Sequence, residues 1–454
     1  MITSKINTII PHDPSVSTFP FSDIPITPKF KRIYKKLNAV GVLGKLEQNI
    51  LPPDVPQIYV YRCERPSGKR ATNVSYGFGG SEDESTAAEH AISEAVEHYC
   101  ILNERPKLFE KEKYKKLQFR ALDPLIFSPF TEKQLSLLKY KKFRLNHDTT
   151  LNWLPGLSLL SKKEILIPAS LTYANYSSTE HNEPIIQMPI STGAACGTDL
   201  DSAVYRGLCE IIERDAYMIS FLPDMPKRLI KIEKDDSDLH GLVQKFERYR
   251  FEIYFMDTTL DSGIFSVACL LLDPTGCGPS VCAGLGAGLN IKQAIKTSAI
   301  EALRRYVSNR NAFFRATPPK DLQRYSFEWL IRKRQKIWSA PHMISRVRSI
   351  IKNSTIVKLS DTKKIKQTKD KLTYVLDNLK KIGCDSYYTE MTTPEIQNLG
   401  LRVVKTFIPK MVPLWRDDRY PYLGFERLHQ IPSKYDVKIK LGLISLNLEN
   451  SHPF

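Results

Sequence analysis

Three stretches of the chain carry carboxylates at spacings that suit chemistry on a metal-bound anion. Glu94 and Glu97 lie three apart, with His90 and His98 one turn either side of Glu94. Glu210, Glu213 and Arg214 cluster in a second stretch, with Arg206 and Tyr217 one turn away. Glu301 and Arg305 stand four apart in a third, beside Arg304. On a helix, residues three and four apart share a face. Paired carboxylates there repel each other unless a cation lies between them. Two carboxylates beside a guanidinium suit a magnesium phosphate, the acids holding the metal and the arginine the phosphate oxygens. Each cluster also has a plainer reading: an exposed acidic face for Glu94 and Glu97, an ion-pair network Arg206–Glu210–Arg214, and an ordinary surface pair Glu301–Arg305. A zinc site at His90, Glu94 and His98 lacks the HExxH pattern.

The elements that must position these groups repeat. Glu94 follows Gly80 by fourteen residues, and Glu210 and Glu301 follow Gly197 and Gly288 by thirteen each. In each case a glycine-rich turn leads into an amphipathic helix, and three matches point to a common architecture. The helices are expected over about 85–103, 200–221 and 290–307, the last opening on Asn290 as N-cap. Ala88, Ala91, Ile92, Ala95 and Tyr99 form the apolar stripe of the first. The glycine loop before the third offers backbone N–H groups to an anion. Strands are expected at 58–61, 165–171, 253–256, 265–272 and 401–407. A helix is expected over 29–48, ahead of the proline-rich 51–57, and helices with an exposed basic linker over 320–372.

The bulk properties narrow the class. The 454 residues are 42% hydrophobic and 25% charged, an ordinary globular mix. No apolar run is long enough to span a bilayer, and the N-terminus lacks a signal-peptide core, so a soluble cytoplasmic protein is expected, with no membrane contact. Eight cysteines form no CxxC pair and read as buried free thiols. The formal net charge of +17 sits partly in runs such as 332–336 and 363–366. These lack interleaved aromatics, so a solvated basic face is expected and nucleic acid is not.

The stretch 207–216, GLCEIIERDA, resembles the GLxExIERDA helix of the YcaO superfamily, and Ser191 to Gly197, STGAACG, resembles the SNGxAxG that precedes it. Residues 222–229, 391–404, 409–414 and 422–428 resemble segments of the peptide-cyclising members, and Ser451 to Phe454, SHPF, their PHPFP tail. The match runs in order over about 58–454, which makes 1–57 an N-terminal extension and linker and 58–454 a YcaO domain of α+β class. The resemblance implies ATP and Mg2+ as cofactors. It implies that Glu97 and Glu213 hold metal, that Glu94, Glu210, Glu301, Arg214 and Arg305 bind the nucleotide, and that His452 and the Phe454 carboxylate act in catalysis. It further implies ATP-dependent conversion of Cys, Ser or Thr in a ribosomal precursor peptide to thiazoline or oxazoline. The partner implied is a separate ThiF-like, leader-peptide-binding protein, and a homodimer is compatible. Departures from the family pattern stand at His98 (usually Arg), Thr192 (Asn), Ser202 (Glu, with Asp199 or Asp201 as substitutes) and Tyr306 (Arg). A non-catalytic scaffold subunit and another YcaO reaction, such as backbone thioamidation, stay open as alternatives.

Overall fold

A computed structural model describes residues 16–17, 25–65, 75–222, 225–314, 334–361, 365, 370–415 and 417–437. Three sheets are present among them. The first runs in the order β1 (Val16–Ser17), β2 (Leu46–Asn49), β3 (Tyr59–Arg65), β4 (Ser75–Ser81), with every pair antiparallel. β5 (Glu110–Lys113), β6 (Thr150–Ser158), β7 (Glu164–Pro168) and β8 (Ala194–Gly197) belong to a second sheet. A third contains β9 (Arg228–Lys231), β10 (Glu252–Asp257), β11 (Phe265–Leu272), β12 (Val281–Gly288) and β13 (Thr355–Lys358), in the order β12-β11-β10-β9-β13. β14 (Tyr387–Glu390) and β15 (Arg402–Phe407) return to the second sheet, whose order is β5-β6-β14-β15-β8 with β7 against β6. Helices and mostly antiparallel sheets make this α+β.

Each sheet sends one strand straight into one acidic helix: β4 into Glu84–Leu102, β8 into Leu200–Ser220, β12 into Ile291–Phe314. The helices start where capping side chains allow. Asp83 accepts the Thr86 N–H at 2.8 Å, Asp199 and Ser202 form a capping box, and Asn290 accepts the Lys292 N–H at 3.0 Å. Each helix lies on its own strand and also touches the strand of the next unit: the first on β8, the second on β12, the third on β4. The three units close into a ring.

The glycine-rich segments read as turns are strands. Apart from Gly193, which turns the chain ahead of β8 with φ 87°, their glycines serve close packing. A Cβ on Gly77 would lie 2.2 Å from the Ala95 nitrogen, and one on Gly284 would lie 2.1 Å from the Ser298 carbonyl oxygen. The helix therefore rests directly on strand backbone, and small residues on the helix meet it: Ala87, Ala91 and Ala95 on the first, Ala294, Ser298 and Ala302 on the third, all buried.

The expected boundary at 57/58 falls inside the first unit. β2 pairs with β3 (Leu46 opposite Cys63), and Phe30, Ile33, Tyr34 and Leu37 of the helix Pro28–Ala39 share a core with Ala88, Ala91 and Ile92. That helix stops well before residue 48. Gly41 adopts φ 73°, turning the chain into β2. The strand expected over 165–171 ends at Pro168, and Ala169–Thr172 is a helical turn. β13, not foreseen within 320–372, is a four-residue edge strand with mostly exposed side chains, too short and too polar to give an alternating signal. Seven of the eight cysteines are buried thiols, and Cys277 is exposed. No helix among the described residues is long and apolar enough to cross a membrane.

Candidate functional site

The leading glutamate of each repeated cluster reaches back to its own strand or, in the second unit, to the residue just before it. Glu94 accepts the Phe78 N–H at 2.8 Å, Glu210 the Gly193 N–H at 2.9 Å, and Glu301 the Leu285 N–H at 2.6 Å. Four residues on, each carboxylate meets a basic side chain: His98 at 3.9 Å, Arg214 at 3.4 Å and Arg305 at 3.3 Å. The three clusters thus share one device, and their anchoring glutamates are half-buried rather than spread on an outer face. In the second unit the bonded N–H falls one residue earlier, because Gly193 takes φ 87°. Of the backbone N–H groups expected to greet an anion before the third helix, that of Leu285 is taken by Glu301.

Three residues after each anchoring carboxylate comes Glu97, Glu213 or Arg304. Each faces the neighbouring unit. Glu97 feels Glu210 and accepts the Cys196 N–H; burial, then the like charges of Glu210 and Glu94, raise its carboxyl far above the usual range. Glu213 lies 3.5 Å from Arg214 yet is pushed up to about 8, by burial first and then by Glu301 and Glu210. Arg304 passes over the Phe78 ring at 5.8 Å and packs on Gly80, where a Cβ would sit 2.8 Å from its Cδ. Burial favours the neutral form of Glu301 too, but Arg305, Arg214, the Leu285 N–H and Arg304 together hold it below the usual range. The Arg214 guanidinium is raised despite burial, by Glu213, Glu210 and Glu301.

A cavity of about 300 Å3 opens between the first two units, lined by Glu94, Glu97, Glu210, His90, Arg206 and the backbone of 194–196. A side chamber of about 170 Å3 shares His90, Ser93, Cys196 and Arg206 with it and ends at Phe30 of the N-terminal helix. His90 is held below its usual value by burial, then by Arg206 and Arg304. Among the described residues no group of three or more His, Cys, Asp or Glu side chains is placed to hold a metal ion as it stands. That holds for His90, Glu94 and His98, and equally for Glu94, Glu97 and Glu210, which would draw together only around a bound cation.

The donor set suits a hard divalent cation. Glu94, Glu97 and Glu210 bring oxygens to one cavity, and the upward push on Glu97 from its two carboxylate neighbours is what such a cation would relieve. Arg214 lies 3.4 Å from Glu210 and 3.5 Å from Glu213, and Arg305 3.3 Å from Glu301, so two planar guanidinium groups stand beside the carboxylates.

The departures resolve individually. Ser202 and Asp199 cap the second helix, Ser202 N–H to Asp199 at 2.7 Å, so Asp199 is committed to the backbone. Tyr306 turns into the core and donates to Asp273 at 2.6 Å. His452 and Phe454 lie outside the described residues. Sequence reasoning missed Lys405. It sits in β15, 3% exposed, and its Nζ donates to the carbonyls of Ile190 and Thr192 at 2.6 Å each. Burial lowers it to about 8, against the pull of Glu210 and Glu97. A lysine inside the apolar run LRVVKTF was the available signal.

Comparison with known proteins agrees with this fold. A chain from Methanothermobacter thermautotrophicus, itself uncharacterised, is 24% identical over 384 residues, 82% of this chain and 90% of its own length. A heterocyclase solved with substrate and cofactor superposes with TM-score 0.71 at 20% identity over 90% of this chain; the chain spans 55% of that protein. YcaO from Methanopyrus kandleri, solved with AMPPCP and Mg2+, superposes with TM-score 0.60 at 15% identity over 84% of this chain and 90% of that one. The family model of the YcaO cyclodehydratases, described as ATP- and Mg2+-binding, matches residues 76–412, and the chain belongs to that family.

Proposed function

We propose that the chain is an ATP-dependent cyclodehydratase acting on a ribosomal precursor peptide. The observation that carries the reading is the site in which Glu94, Glu97, Glu210, Glu213 and Glu301 converge beside Arg214 and Arg305. Such a site holds Mg2+ and a triphosphate together. The family match supports the cofactors, and the likeness to a heterocyclase supports the reaction class.

In this reading a Cys, Ser or Thr side chain of the peptide loses its proton and attacks the preceding backbone carbonyl carbon. The resulting oxyanion takes the γ-phosphoryl group of ATP, releasing ADP. Loss of that oxygen as phosphate, with the amide N–H proton released to solvent, then forms the C=N bond of a thiazoline or oxazoline. An amide oxygen leaves poorly, and phosphorylation makes it a good leaving group. The chain's own residues neutralise charge on the transferring group, the role of Arg214 and Arg305. His452, or the carboxylate of Phe454, is the proposed base that receives the nucleophile's proton. A ThiF-like partner captures the leader peptide. The products are thiazoline- or oxazoline-bearing peptides, precursors of thiazole/oxazole-modified peptides of the bacteriocin kind.

Calorimetry with a non-hydrolysable ATP analogue and Mg2+ tests the site. Binding should need both and should fall at least tenfold in Glu213→Gln. No binding at millimolar nucleotide would make the chain a non-catalytic scaffold instead. Mass spectrometry of precursor treated with ATP, with and without the partner, tests the reaction through a loss of about 18 Da per ring.

A further inference from the structure

Lys405 has no assigned part in this site, yet it is a buried cation beside it. It is 3% exposed, and Val404 and Thr406 on either side of it are buried too. Its ammonium donates to the carbonyls of Ile190 and Thr192, the residues either side of Ser191. The adjacent Thr406 fixes the same loop by a second route, with its N–H and its hydroxyl both donating to the Gly193 carbonyl, at 2.8 and 2.9 Å. Glu210 takes the Gly193 N–H. The loop is therefore fully gripped by Thr406 and Glu210, and an uncharged donor at 405 would serve the two remaining carbonyls. A full charge there has another use. Lys405 holds the Thr192 carbonyl of the same peptide unit whose Gly193 N–H is taken by Glu210, and Glu210 with Glu97 makes two of the three carboxylates that line the cavity.

We propose, building on the Mg-ATP reading above, that Lys405 is an internal counter-ion and positioning residue that makes cation binding conditional on nucleotide. Three carboxylates converging on one cavity would attract a divalent cation with no nucleotide present. A fixed positive charge behind two of them offsets part of that attraction. The phosphates of ATP bring the missing negative charge, so metal and nucleotide enter together. The low-dielectric surroundings make one charge count for much more than it would at the surface.

The test is Mn2+ binding to the full chain, read by the free-ion paramagnetic signal, with and without a non-hydrolysable ATP analogue. Wild type should bind Mn2+ weakly alone and much more tightly with the analogue; failure of that pair to bind at all would sink the Mg-ATP reading itself. Lys405→Met matches the stem's volume, and Lys405→Gln keeps a donor. Either should bind Mn2+ alone roughly tenfold more tightly, with a smaller gain from the analogue. Lys405→Arg should behave as wild type. Thr406→Val loosens the same loop without changing charge and should leave the Mn2+-alone affinity unchanged. Equal or weaker Mn2+ binding in the neutral variants, or a Thr406→Val that mimics them, would overturn the proposal. So would loss of fold in both neutral variants beside a folded Lys405→Arg, which would assign the charge to folding alone.

Discussion

Asp215 and Arg427, 212 residues apart, are joined by two short contacts, Nη2 to Oδ2 at 2.6 Å and Nε to Oδ1 at 3.0 Å. Asp215 also accepts the Val412 N–H at 2.8 Å, and Arg427 reaches Asp261 at 2.9 Å. Asp215 follows Arg214 directly, so this buried pair fastens the last described helix, Arg427–Ser433, to the helix that carries the site. Asp215→Ala should leave the guanidinium with one partner and cost about 3 kcal/mol, read as a shift in the denaturation midpoint. An unchanged midpoint would mean that Asp261 alone satisfies Arg427.

Glutamine can still accept an N–H but carries no charge. Glu301→Gln should therefore keep the Leu285 contact and lose under ~1 kcal/mol of stability, whereas Glu301→Ala should lose about 2 kcal/mol. Both should bind Mg-ATP much less tightly. If the glutamine variant bound nucleotide as wild type does, Glu301 would be a strand anchor only.

The pH dependence follows from Glu213. Its folded-state value, about 8, lies above the usual 4.5, so the folded protein binds this proton more tightly than the unfolded chain does. The associated stability is present at low pH and is lost as pH rises from about 4.5 through about 8. Glu213→Gln removes this slope. In metal-free buffer the variant should gain in melting temperature relative to wild type between pH 5 and 8, and a constant difference would contradict the assignment.

Gly284→Ala places a methyl group against the Ser298 carbonyl and should cost about 3 kcal/mol. Gly241 lies in the helix Ser237–Glu247, where an added Cβ meets nothing within 4 Å. Gly241→Ala should stabilise by ~1 kcal/mol. The same assay on both variants separates packing glycines from incidental ones.

Deleting 452–454 should slow cyclisation by roughly a hundredfold, the scale of a lost general base, with Mg-ATP affinity nearly unchanged. Wild-type cyclisation by the truncated chain would remove His452 and Phe454 from the proposed mechanism.

Much of the site could be read from the chain because its carboxylates lie on helices, where spacing fixes the shared face. Glu94, Glu210 and Glu301 were legible as a repeated set for that reason. The elements before them were not. Glycine in a strand and glycine in a turn look alike in sequence, and what separates 281–288 from a loop is the helix lying on it. Lys405 was hidden differently: its role comes from carbonyls more than two hundred residues earlier, which no local pattern encodes. Strand β2 was lost because it belongs to a sheet completed only by later segments.

The ring has three similar junctions but not three similar charges. Glu97 and Glu213 occupy two of them, and Arg304, seated in the space that Gly80 leaves, occupies the third. A guest that is positive at one end and negative at the other can therefore lie in such a ring only one way round. A base at one junction where the other two carry acids gives a near-repeated scaffold a direction, and that direction decides which end of a long anion is presented to whatever waits beside it.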